Sequence, residues 1–179
     1  MPRRLMLLLG LVLLISLAPL TAHAQDKIEL FGGYSYMRFD ATPLLNPTSS
    51  STSATFNFNG WEASGEYKFR DWLGAVADID GHSGSPAHVS TSVHTFLFGP
   101  QVSWSWRVSP FAHLLVGGAH VSTGPYSENS LSGAIGAGID MRLKHHIYWR
   151  IVEGDYLLTR FFGDTQSNVR VSSGVVFKF

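Results

Sequence analysis

Cysteine is absent from the 179 residues, which removes disulfides, thiolate metal ligands, a cysteine nucleophile and a lipid-anchored N-terminal cysteine together. Charge is scarce and balanced, with 13 Lys and Arg against 13 Asp and Glu. Setting aside Arg3 and Arg4 leaves 11 basic against 13 acidic residues, so the rest of the chain has no basic field suited to nucleic acid. No apolar run near 18 residues follows residue 24, so that part of the chain offers no helix able to span a bilayer. If it enters a membrane, it must do so as strands closed into a barrel.

One long apolar run does exist, and it lies at the start. Arg3 and Arg4 precede Leu5 to Leu20, and Ala22-His23-Ala24 supplies a small-x-small cleavage site. The chain therefore reads as exported, with residues 1–24 a signal peptide cleaved near Ala24. Residues 25–179 then form a single domain of ordinary size.

Near the end of the chain, Val169, Val171, Val175, Phe177 and Phe179 alternate with Arg170, Ser172, Gly174, Val176 and Lys178. Period two of this kind gives a strand one apolar face and one mostly polar face. The same reading places further strands over 28–39, 54–69, 73–81, 88–105, 111–122, 131–143 and 147–161. Each is long enough for a tilted membrane strand, which needs about 9 to 11 residues, whereas soluble strands cluster near 5 to 6.

The connections alternate in length. Asp40 to Ser53, Gly81 to Ala87, Thr123 to Ser130 and Phe162 to Ser167 are the longer ones; Arg70 to Trp72, Arg107 to Pro110 and Lys144 to His146 are short. Short turns at one end and longer loops at the other are the habit of outer-membrane barrels. With eight strands both chain ends fall on the short-turn, periplasmic side. Low complexity is confined to the first long loop, with Ser49-Ser50-Ser51-Thr52-Ser53, and its composition suits a mobile contact loop.

Aromatic residues gather where strands would meet the membrane interfaces: Phe69, Trp72, Trp104, Trp106, Phe111, Tyr148 and Phe177 near the turns, and Tyr34, Tyr36, Trp61, Tyr156 and Phe161 near the loops. Two girdles are the expectation.

Several local motifs occur in a characteristic order: Phe31-Gly32-Gly33-Tyr34-Ser35-Tyr36, Trp72-Leu73-Gly74, Phe98-Gly99-Pro100, Pro110-Phe111-Ala112-His113, Gly136-Ala137-Gly138-Ile139-Asp140, Asp155-Tyr156-Leu157-Leu158-Thr159-Arg160 and Val175-Val176-Phe177-Lys178-Phe179. In this order they resemble the outer-membrane β-barrel domain family of OmpA-like and OmpX-like small barrels. That resemblance implies an all-β fold, an eight-stranded antiparallel up-and-down transmembrane barrel. It further implies assembly by the outer-membrane insertion machinery, with Phe179 as the terminal signal. No peptidoglycan-binding segment follows the barrel in this sequence, so peptidoglycan tethering is not implied.

The alternation aims Glu62, Ser64, Glu66 and Lys68 inward, with Asp78, Asp80, His94, His113, Asp140, Arg142, Arg150, Arg170 and Lys178. Arg150 and Asp155 are out of phase, and a β-bulge within Ile151 to Gly154 would let both face the lumen. Eight strands leave an interior just wide enough for side chains, so these charges are expected to pair into a plug. No cofactor, metal set or enzyme active site is expected. The expected partners are outer-membrane lipid and lipopolysaccharide, and the barrel is expected to be a monomer.

Two other classes compete with this reading. His88-Val89-Ser90 and His120-Val121-Ser122 each put a base and a hydroxyl on one strand face. They are similar to the His-x-Ser pair of lipid A deacylase barrels, although the surrounding residues do not follow that family, and they open the reading of a lipid-modifying hydrolase. A soluble lipocalin-like binder would also be an up-and-down barrel, but with apolar residues inside and charges outside.

Overall fold

The computed structural model describes residues 27–40, 55–84, 91–123, 126–161 and 164–179. Residues 1–24, the serine-rich tract at 49–53 and the His88-Val89-Ser90 motif lie outside the described residues. Eight strands are described: β1 (Ile28–Asp40), β2 (Thr55–Arg70), β3 (Leu73–Gly84), β4 (Thr91–Ser103), β5 (Val108–Thr123), β6 (Tyr126–Arg142), β7 (Ile147–Phe161) and β8 (Asp164–Lys178). Each pairs antiparallel with its sequence neighbour, and β8 returns to β1 to close the barrel.

Closure is completed at the chain end, where Phe179 and Ile28 exchange backbone hydrogen bonds of 2.8 and 3.0 Å. A closed barrel leaves no free edge, and it pairs the backbone groups that lipid could not hydrate. Two hairpins run further than their sequences suggest. Tyr126 pairs with Thr123, and Asp164 with Phe161, so stretches rich in Ser, Thr and Asn continue the ladder instead of forming long loops. Backbone pairing costs these small polar residues little once the neighbouring strand is in register.

Side chains follow the pleat. Leu30, Phe96, Phe98, Leu114, Ile135 and Val171 are among the large apolar residues that face outward and stay exposed. In β7 the pairing shifts, with Ile139 opposite Val152 and Asp140 opposite Arg150, which leaves Ile151 as an extra residue. Ile151 and Val152 both point outward. After this bulge, Arg150, Glu153 and Asp155 all face the interior, as the phase argument required.

Aromatic residues stand outside at both ends: Phe69, Trp72, Trp104, Trp106 and Phe177 at the turn end, and Tyr34, Trp61 and Tyr156 at the loop end. Phe111 and Tyr148 are corrections to the girdle, since both lie inside, 3% and 4% exposed. Each falls on the inward phase of its strand, and each ring packs against a cation there.

Candidate functional site

The interior is the most elaborated part of the molecule. Glu62, Glu66, Lys68, Asp78, Asp80, Asp140, Arg150 and Arg170 all point into it and are buried. Glu29, Glu153, Asp155, His82, His113 and Lys178 join them. One of the residues aimed inward by sequence does not belong there: His94 sits on the outward phase between buried Val93 and Thr95. Arg142 keeps the inward phase of β6 but stands exposed at the barrel mouth, its Nε donating to the Tyr148 hydroxyl at 2.9 Å.

Four tiers follow one another from turn end to loop end. At the mouth, Glu29 accepts ion pairs from Lys68 at 2.5 Å and Lys178 at 2.9 Å. A cavity of about 560 Å³ opens here, bordered by Lys27, Arg70, Arg142 and Tyr148 as well. Above it Arg150 is clamped between the rings of Phe31 and Phe111, 4.2 Å from each centroid, while bridging Asp140 at 2.9 Å and Glu153 at 2.8 Å. Stacked on both faces and bonded at its edge, this guanidinium has little freedom left.

Arg170 forms the third tier and is fully buried. Its guanidinium reaches Asp78 at 2.8 Å, Asp80 at 2.5 Å, Asp155 at 2.7 Å and Glu62 at 3.3 Å. Supporting groups hold the acids in place: Thr95 donates to Asp80 at 2.5 Å, His82 contacts Asp80 at 3.2 Å and Ser35 at 3.0 Å, and Ser172 donates to Glu62. His113 joins Asp155 at 2.7 Å. That contact crosses β6, and only glycine permits it there: a Cβ on Gly136 would collide with the Asp155 carboxylate and the His113 ring.

The fourth tier is apolar. Met37, Phe39, Phe58, Val93, Leu97, Leu115 and Leu157 form one buried cluster toward the loop ends. Sequence alternation missed it, because β4 and β5 carry apolar residues on both faces and so lose the period-two contrast.

Among the described residues, eight buried carboxylates (Glu29, Glu62, Glu66, Asp78, Asp80, Asp140, Glu153, Asp155) share the interior with four buried cations (Lys68, Arg150, Arg170, Lys178) and two histidines. Among the described residues His113, Glu153 and Asp155 come close enough to hold a metal ion, with ligand atoms within 4.8 Å of one another. Sequence spacing gives no hint of this trio, which depends on the β7 bulge. Arg150 and Arg170 hold the other oxygen of each carboxylate, Glu153 Oε2 and Asp155 Oδ2, while Glu153 Oε1 and Asp155 Oδ1 face His113.

An ion-paired interior inside a closed antiparallel barrel, with an apolar exterior banded by aromatics, defines the class as a transmembrane β-barrel. The chain belongs to the outer membrane protein beta-barrel domain family, whose model matches residues 7–179. Among solved structures it is similar to Neisserial surface protein A, with a TM-score of 0.68 at 12% identity over 88% of this chain and 100% of that one. Ail, the attachment invasion locus protein of Yersinia pestis, matches at TM-score 0.54 and 16% identity over 86% of this chain and 100% of Ail. For the N-terminal barrel domain of Pseudomonas aeruginosa OprF the values are 0.50 and 12%, over 86% of this chain and 98% of that domain. At these identities the likeness is one of fold. Comparison with curated protein sequences returned no relative.

Proposed function

We propose that this protein is a monomeric integral outer-membrane barrel with a plugged interior, acting as a structural and surface-contact element of the envelope rather than as a pore or through interior chemistry. The observation that carries this reading is the stacking of the Arg150 and Arg170 ion-pair tiers beneath the apolar tier of Met37, Phe58, Leu97, Leu115 and Leu157. Ions entering at the turn end would have to break several buried salt bridges and then cross a dry layer. The outward apolar belt takes outer-membrane lipid and lipopolysaccharide as its partners. The end of the barrel at Asp40, Thr55, Gly84 and Thr91 is the one that faces the exterior. In this reading residues 1–24 are a signal peptide cleaved near Ala24, and the insertion machinery reads Phe179.

The soluble lipocalin-like alternative needs the opposite polarity, and the exposed Phe96, Leu114 and Ile135 with the buried Asp78 and Arg170 run against it. The test is purification in detergent followed by gel electrophoresis with and without heating, and by planar-bilayer recording. A heat-dependent mobility change without conductance steps is expected. Solubility without detergent and an unchanged mobility would overturn the membrane reading, and stable conductance steps would overturn the plug.

A further inference from the structure

Outside the barrel, near the loop ends, the outward faces of β4, β5 and β6 carry a polar row on top of the apolar belt. His94, His120 and Asn129 are register partners across the three strands, and the next outward row is Ser92, Ser122 and Ser127. Within these rows His120 Nδ1 lies 2.7 Å from Asn129 Oδ1, and His120 Nε2 lies 3.1 Å from Ser122 Oγ. The polarity of this relay is fixed by its far end. A carboxamide oxygen can only accept, so Nδ1 carries the proton and the Nε2 lone pair faces the Ser122 hydroxyl. That is the arrangement of a general base beside a serine nucleophile, with a third group orienting the base.

The surroundings give the relay a substrate. One outward row below it, Phe96, Gly118 and Leu131 are register partners, with Phe96 and Leu131 exposed and the glycine between them. A Cβ at Gly118 would meet nothing nearer than a backbone oxygen at 3.7 Å, so the sheet has a shallow apolar slot there. The slot lies about 7 Å from His120 and about 14 Å from Ser122, two and four residues of strand at about 3.4 Å each. An acyl chain lying in it would bring its ester linkage up to Ser122.

We infer that this face is an ester-hydrolysing site for acylated membrane amphiphiles, with Ser122 the nucleophile, His120 the general base and Asn129 a positioning residue. Its substrate class rests on the membrane reading above; its chemistry does not. Ser122 Oγ attacks the ester carbonyl carbon while its proton passes to His120 Nε2. Collapse of the tetrahedral adduct breaks the bond to the alcohol oxygen, which takes that proton and leaves. Water then attacks the acyl-Ser122 ester by the same route, releasing the carboxylic acid and restoring the serine. Ser92, the register partner of Ser122, offers a hydroxyl on the same face for the oxyanion.

The test uses the full folded protein in detergent micelles. A fluorophosphonate probe is followed by peptide mass spectrometry, and hydrolysis of a p-nitrophenyl acyl ester is measured, with heat-dependent gel mobility confirming that each variant has folded. Wild type is expected to label at Ser122 and to turn over the ester. S122A should lose the label, and H120Q should lower kcat by about 10²- to 10⁴-fold. N129A should lower kcat with little change in KM, and N129D should restore it, as a merely structural role would not require. S90A should behave as wild type. Absence of label and turnover from folded wild type, or full activity in folded S122A, overturns the proposal while leaving the barrel reading intact. A failed mobility shift counts against the barrel itself.

Discussion

Replacing Arg170 with methionine keeps the volume and apolar stem of the side chain and removes the cation that four carboxylates share. The cost is uneven among them. Asp80 retains Thr95 and His82, Asp155 retains His113, and Glu62 retains Ser172 and Ser35, whereas the Asp78 carboxylate is held by Arg170 Nη1 at 2.8 Å. Breaking a single buried ion pair by removing one partner costs about 3–5 kcal/mol. With Asp78 stranded and three further acids left less well compensated, the upper end is expected, about 5 kcal/mol, or between three and four decades in the folding equilibrium constant at about 1.4 kcal/mol per decade. Urea titration in phospholipid vesicles, read by tryptophan fluorescence, measures this directly. Adding Asp78→Asn to Arg170→Met should recover more stability than adding Asp80→Asn, because it removes the acid with fewest other partners. An Arg170→Met protein that unfolds within about 1 kcal/mol of wild type would refute the view that these charges depend on one guanidinium.

Other expectations address separate parts of the molecule. Gly136→Val should lower the unfolding midpoint by the equivalent of about 1–3 kcal/mol, since its side chain must push apart the His113 and Asp155 contact; an unchanged midpoint would mean that the contact is dispensable. Deleting Phe179 removes the exchange of backbone bonds with Ile28 and the proposed assembly signal. The truncated chain should accumulate uninserted in envelope fractions, and normal insertion would count against both roles.

Much of the fold is readable from strands whose two faces differ. In β8 the pairing of Val169, Val171, Val175 and Phe177 against Arg170, Ser172 and Lys178 sets the face of every residue. The break of phase between Arg150 and Asp155 even marks the bulge at Ile151. Where both faces are apolar the signal fades, so Leu97 and Leu115 inside cannot be told from Phe96 and Leu114 outside by pattern. Phe111 and Tyr148 fail for a related reason: an aromatic near a strand end serves equally as a girdle residue or as a lid over a buried cation. The convergence of Arg170 with Asp78, Asp80 and Asp155 depends on register and stagger across strands that are distant in sequence, and on the missing side chain at Gly136. Asn129 was hidden because it falls in a stretch that reads as loop, so only the first two members of its relay are visible as His120-Val121-Ser122.

The Arg170 tier also bears on the order in which the barrel is made. Its carboxylates come from β2, β3 and β7, and Asp78 lies 92 residues before the guanidinium that neutralises it. Until the final strand arrives, an incomplete sheet holds a cluster of like charges on what will become its concave side, and that cluster repels its own closure. Delivery of β8 supplies the last edge and the counter-charge in one event.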